Sequence, residues 1–276
     1  MAFNSINTNV AAMQAIATFN AINAEMDVVQ MRITTGKKVN SAKDNPAIWA
    51  IAQNQRGELG ALDAVKSSIS RGQSVVSVAM SAAEQIADLL NDMKALAVSA
   101  QDYAVTDPAR IAINDNYQSL KRQIDLAVRN ADFNGTNLLA GGQVRALANT
   151  SATQTVDVGG EDLSVGGAIL GGMPADLLGG LGPTGVADLT AAISGANAAL
   201  SRLGTGSKGL DRHLTFIGKL QDTIEAGIGN LVDADLAKES ARLQALQVRQ
   251  QLAIVAMRIA NQQPSLLLQL FQGIGR

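Results

Sequence analysis

Three groups of residues in this chain have types and spacings that could do chemistry. Gly204-Thr205-Gly206-Ser207-Lys208-Gly209 has the G-x-G-x-x-G form of a loop that cradles a dinucleotide pyrophosphate. Asp233 and Asp235 could supply oxygen ligands to calcium. His213, the single histidine, could serve as a general base or a metal ligand. None of the three has the company its chemistry needs. The glycine motif follows a helical pattern where a strand is required, and Leu203, Ser207 and Leu210 keep one 4-3 spacing across it. That phase predicts a flexible or bending point in one continuous helix. The two aspartates lack the further oxygens and terminal glutamate of a calcium loop, so a cap or kink between helices is expected. His213 lies beside the apolar seam residue Leu214, and the chain has no cysteine to share a metal with it. Asn134-Gly135-Thr136 and Asn149-Thr150-Ser151 match the N-glycosylation pattern, which is common by chance. G-x-S-x-G, H-E-x-x-H and the P-loop are all absent. No catalytic, cofactor-binding or metal site is assigned, and no cofactor is expected.

Composition points to structure as the role. Of 276 residues, 47% are hydrophobic but only 3% are aromatic. The core must therefore be built from Ala, Leu, Ile, Val and Met, which suit close helix packing. A net charge of −2 leaves no basic footprint for nucleic acid. No stretch approaches the roughly 18 uninterrupted apolar residues of a membrane span. The N-terminal residues have neither the basic nor the apolar region of a secretory signal peptide.

The elements follow from periodicity. A first helix is expected from about Ser5 to Thr35, with Phe19, Ile22, Met26, Val29 and Ile33 on one face. Gly36 supplies the stop, with Lys37 and Lys38 near the negative end of the helix dipole. Asp44 or Asn45 can cap a new helix opened by Pro46. Its seam is Val65, Ile69, Gly72, Val76, Ala79, Ala83, Ile86, Leu90, Met93 and Ala97, a heptad pattern about 50 Å long at about 1.5 Å per residue. Asp107-Pro108 starts an antiparallel neighbour with a seam of Ile113, Tyr117, Leu120, Ile124 and Ala127. Asn134-Gly135 marks a turn. Residues 141–185 hold 12 of the 26 glycines and read as one or two small β-hairpins with loops. Helix returns near Val186, with Leu189, Ile193, Ala196, Leu200 and Leu203, then Leu210, Leu214, Ile217, Ile224, Ile228 and Leu231 as its seam. A final helix carries Val248, Leu252, Val255 and Ile259 on one face and is expected to end at Pro264, before an apolar tail. The fold class is thus an all-α rod of long antiparallel coiled-coil-like helices formed by both chain halves, with a small β-hairpin and loop insert. Apolar stripes at both ends of a soluble chain need partners.

Several segments, in order, resemble one family. Arg32-Ile33-Thr34-Thr35-Gly36-Lys37-Lys38-Val39-Asn40-Ser41-Ala42-Lys43-Asp44-Asn45-Pro46-Ala47, preceded by Ser5-Ile6-Asn7-Thr8-Asn9, is similar to the N-terminal signature of bacterial flagellins. Phe133-Asn134-Gly135-Thr136-Asn137-Leu138-Leu139, Asp233-Ala234-Asp235-Leu236-Ala237-Lys238-Glu239 and Ala260-Asn261-Gln262-Gln263-Pro264 match its later motifs. Ala47-Ile48-Trp49-Ala50 and the small middle look like the short flagellins of alphaproteobacteria. The resemblance covers about residues 1–140 and 186–271. A departure is Gln272-Gly273-Ile274-Gly275-Arg276, which follows the Leu-rich tail where the family usually stops.

The resemblance implies a structural subunit of the extracellular flagellar filament, exported by the flagellar type III apparatus with a chaperone. Its implied partners are other flagellin subunits and the hook-associated and cap proteins, with no nucleic acid and no membrane span. Residues 1–44 and 233–276 would form the inner filament core, 45–140 and 186–232 the helical rod, and 141–185 an exterior insert. Self-assembly would rest on Ile6, Val10, Met13, Phe19, Ile22, Met26, Val29, Ile33, Val248, Leu252, Val255, Ile259 and Leu270. Thr150, Ser151, Thr153 and Thr155 would be candidates for O-linked sugars. Flagellins detected by a vertebrate cell-surface receptor carry an Arg and a Glu at positions where this chain has Asp92 and Asn116. The alternative readings are a hook–filament junction protein, which shares the terminal helices, and a secreted host-surface ligand or adhesin, which would carry a fused binding domain.

Overall fold

The computed structural model describes residues 8–179 and 183–273, with residues 183 and 263–273 described as backbone. In chain order the elements are α1 (Val10–Thr35), α2 (Pro46–Ser99), a 3-10 turn (Ala100–Asp102), α3 (Pro108–Asn130), β1 (Asp132–Phe133), β2 (Thr136–Asn137), β3 (Gln143–Leu147), β4 (Thr155–Gly159), α4 (Pro183–Val232) and α5 (Leu236–Gly273). Two compact units are formed, Met1–Gly57 with Ile224–Arg276, and Glu58–Thr223. Each joins segments from both halves of the chain.

In the first unit α1 pairs with α5. Ser5, Ile6 and Asn7, where a helix was expected to begin, lie outside the described residues. The described helix begins later, at Val10, because Asn9 takes the N-cap: its Oδ1 accepts from Ala12 N at 3.0 Å. Gly36 ends α1 at φ 70°, the left-handed conformation that favours glycine. The chain then crosses to the other half. Lys38 N donates to Val232 O at 2.7 Å, and Ala234 N donates to Gly36 O at 2.8 Å. Of the two candidate caps for α2, Asn45 is the cap, accepting from Ile48 N at 3.1 Å. Asp44 faces the other way, and the amides of Ser41 and Asn40 hold its carboxyl below the ordinary value. Asp235 caps α5 by accepting from Lys238 N at 3.1 Å, so the expected break at Asp233–Asp235 is present.

One expectation fails here. α5 does not stop at Pro264 but runs on to Gly273. Proline has no N–H for the carbonyl four residues back. That carbonyl, Ala260 O, accepts instead from Asn9 Nδ2 at 2.8 Å.

In the second unit α2 and α4 run antiparallel. Gln221 Nε2 donates to Asp63 Oδ1 at 2.7 Å, Gly72 lies against Leu210, and Gly204 against Met80. All ten expected seam residues of α2, Val65 to Ala97, are buried. The glycine motif lies inside one continuous α4, as its phase required. α3 departs from expectation. Tyr117 and Ile124 are buried, but Ile113, Leu120 and Ala127 are only half-buried, and the buried face is completed by Arg110, Asn114 and Val128. The reason lies in the segment after the hairpin. Arg110 Nε donates to Leu177 O at 2.9 Å, Leu177 N to Asn114 Oδ1 at 2.9 Å, and Tyr117 OH to Pro174 O at 2.8 Å. These bonds satisfy polar groups inside and rotate the helix away from its apolar seam.

Residues 141–179 are not a loose appendage. β3 and β4 form the expected hairpin, pairing Val144 with Val158 and Ala146 with Val156. Gly72 gives it room, since a Cβ there would lie 3.0 Å from Val144 Cγ1. Leu163, Leu170 and Leu177 are fully buried. Arg202 clamps Glu161 with two bonds of 2.6 Å. β1 and β2 flank the Asn134-Gly135 turn, both residues at positive φ, as a tight hairpin demands.

Candidate subunit-contact surface

The α1·α5 pair is aligned by polar contacts that ascend in one helix and descend in the other. Arg32 Nη1 meets Glu239 Oε1 at 3.2 Å, Arg242 reaches Glu25 at 3.6 Å, and Gln250 Nε2 donates to Asn23 Oδ1 at 2.7 Å. Glu239 is itself buried, so its charge needs Arg32. Inside the pair lie Ala12 and Val29 of α1 and Leu246, Ala253 and Ala260 of α5.

This arrangement divides the expected assembly residues. Val29 is buried, while Phe19, Ile22, Met26 and Ile33 are half-buried on the same side of α1. These side chains belong in large part to the pair itself. Val248, Leu252, Val255 and Ile259 lie on the opposite side of α5 from Leu246 and Ala253 and are exposed, Leu252 at 63%. Val10 and Met13 are likewise exposed, Met13 at 63%. Ile6 and Leu270 lie outside the residues whose side chains are described. Sequence reasoning missed Ile16, Val28 and Met31 on α1, and Leu236 on α5, all exposed. For Val28 and Met31 the signal was present: Val10, Met13, Ala17, Ala21, Ala24, Val28 and Met31 form a second 3-4 stripe on α1, whereas Ile16 and Leu236 lie off it. Both helices are thus apolar on two faces, one spent on the partner helix and one facing outward.

The other marked residues are separate from this surface. Asp92 on α2 and Asn116 on α3 are exposed. Thr150, Ser151 and Thr153 are exposed in the turn between β3 and β4. Thr155 is half-buried within β4, and Thr153 Oγ1 accepts from Asn149 Nδ2 at 2.7 Å. His213 donates from Nε2 to Ala148 O at 2.8 Å, a structural tie to the hairpin turn. Gly206 faces β4, where a Cβ would fall 2.7 Å from Val158 Cγ1, so the motif glycine serves packing. Among the described residues no group of three or more His, Cys, Asp or Glu could hold a metal ion. No described helix is long and apolar enough to cross a membrane.

Two family models match this chain: the bacterial flagellin N-terminal helical region over residues 6–143, and the bacterial flagellin C-terminal helical region over 186–271. The chain belongs to the bacterial flagellin family. Flagellin FljM of Caulobacter vibrioides is 46% identical over 274 residues, 99% of this chain and 100% of that one. Flagellin FljK of the same organism is 45% identical with the same coverage. A flagellin of Brucella melitensis is 34% identical over 98% of this chain and 99% of its own length. Family membership makes the chain a structural subunit of the flagellar filament, which assembles with other flagellin subunits outside the cell. The segment between the matched regions, residues 144–185, is the short middle that separates the two halves.

Proposed function

We propose that this subunit polymerises through the outward apolar faces of α1 and α5. The carrying observation is the second stripe on each helix, with Val10, Met13 and Met31 on α1 and Val248, Leu252 and Ile259 on α5 all more than half exposed while the inner face is already covered. Exposed stripes of this length on a soluble chain are costly unless another copy covers them. Contacts that repeat without closing into a ring generate a helical filament. In this reading residues 1–44 and 233–276 are the inner filament core, 45–140 and 186–232 form the helical layer around it, and 141–185 face outward. Export through the flagellar apparatus with a chaperone, and contact with hook-associated and cap proteins, follow from the same reading. So do O-linked sugars at the exposed Thr150, Ser151 and Thr153. Thr155 is a weaker acceptor because β4 half-buries it.

The test is a pair of charge substitutions of opposite placement. Leu252→Glu with Ile259→Glu alters only the outer face, so the isolated chain should keep its thermal midpoint and lose sedimentable polymer. Leu246→Glu strikes the inner face, where an unpaired buried charge costs about 3 kcal/mol or more. Normal filaments from the outer-face variant would refute the proposal.

A further inference from the structure

Asn9 and Pro264 are separated by 255 residues, yet one completes the other. A helical carbonyl accepts from the N–H four residues on. Pro264 has no N–H, so the sequence itself deprives Ala260 O of its partner. Ala260 is 9% exposed, and a buried carbonyl left unpaired is costly. The missing donor is supplied by Asn9 Nδ2 at 2.8 Å. The same amide group uses its oxygen to accept from Ala12 N at 3.0 Å, capping α1. The two partners determine which way the amide points, since a backbone N–H can only donate and a carbonyl can only accept. Other side chains do half of this work. Aspartate caps a helix as well as asparagine but has no N–H to give.

We propose that Asn9 is a latch that couples the two chain ends: α5 is continuous past Pro264 only when the start of α1 is docked on it. The start of α1 and the last turns of α5 then become ordered together. The device acts within the α1·α5 pair and does not depend on which partner covers the outer faces.

The test is hydrogen exchange on the full chain, before and after polymerisation, with sedimentation separating the two states. Asn9→Asp keeps the cap acceptor and removes the donor. Amides of residues 265–272 should exchange about fivefold faster in Asn9→Asp, the factor that one typical net hydrogen bond contributes, while amides within α1 are unchanged. Pro264→Ala supplies an N–H to Ala260 O, so Asn9→Asp in that background should leave residues 265–272 as protected as in Pro264→Ala alone. Unchanged exchange at 265–272 in Asn9→Asp would overturn the latch. So would a loss of equal size in both backgrounds, or an α1 unprotected in both states. A chain that shows the coupling but never sediments would count against the filament reading and leave the latch standing.

Discussion

At the scale of single residues, packing decides what a glycine is for. Gly206 and Gly209 both sit inside α4, where alanine is the better helix former by about 1 kcal/mol. Around Gly209 there is open space, so Gly209→Ala should raise the thermal midpoint, by roughly 2–4 °C for a stabilisation near 1 kcal/mol. At Gly206 the new methyl would overlap the stiff, buried Val158 of β4. Overpacking of that kind costs about 1–3 kcal/mol, so Gly206→Ala should lower the midpoint despite the better propensity. A rise at both positions would mean the hairpin does not rest on α4. Tyr117 carries a second expectation. Burial, aided by the negative charge of Asp176, pushes its phenol from 10.0 up to about 12. Below pH 10 the phenol is neutral in both states and the folded chain keeps this contribution. As pH rises from 10 towards 12 the unfolded chain ionises first, so stability is lost across that window. Tyr117→Phe should cost about 1 kcal/mol at neutral pH through the bond to Pro174 O. Its stability deficit should shrink between pH 10 and 12, read from urea midpoints of both proteins. Parallel curves would contradict the burial of that hydroxyl.

Among the elements, α2 was the most legible and the middle segment the least. The seam from Val65 to Ala97 needed only a repeated spacing, because one long helix buried against another repeats its environment every heptad. The middle segment has no such repeat. Its glycines and short strands resemble exterior loop, and its three buried leucines, Leu163, Leu170 and Leu177, are spaced seven apart in irregular chain where helical spacing means nothing. Their burial separates two replacements. Exchanging residues 150–153 for another short turn should change stability by no more than about 0.5 kcal/mol, since they are exposed. Replacing residues 150–172 with a linker removes β4, Leu163 and Leu170. Each buried leucine is worth about 2–5 kcal/mol, so cooperative thermal unfolding of the second unit should be lost or shifted far down. An unshifted calorimetric transition in the longer replacement would show that this segment is not part of the core. α3 teaches the same lesson on a smaller scale: Arg110 and Asn114 are buried because they have carbonyl and amide partners in residues 173–178, which no hydrophobic pattern can reveal.

At the scale of the whole molecule, the family resemblance carries an expectation about two exposed positions. Asp92 and Asn116 are exposed on α2 and α3, where receptor-activating flagellins carry an Arg and a Glu by the family resemblance. Loss of a central charged anchor typically costs about 2 kcal/mol or more, and the inverted charge at Asp92 adds repulsion. The purified chain should therefore activate the vertebrate cell-surface flagellin receptor poorly in a reporter-cell assay. Asp92→Arg combined with Asn116→Glu should increase the response. Potency equal to that of an enterobacterial flagellin would refute the expectation.

Local rules were sufficient wherever the deciding partner was near in sequence or periodic. Gly36 ends α1, Asn45-Pro46 opens α2, Asn134-Gly135 turns a hairpin, and the phase of Leu203, Ser207 and Leu210 carries α4 through its glycines. The family signature is equally local, a run of residues around Arg32–Ala47 and its counterparts downstream. Tertiary structure alone decided which of two apolar faces on α1 and α5 is spent internally. Both faces satisfy helical spacing, and only the docked partner helix covers one and leaves Leu252 and Met13 in the open. It also decided that α5 continues through Pro264, because the hydrogen-bond donor that permits it stands 255 residues away at Asn9.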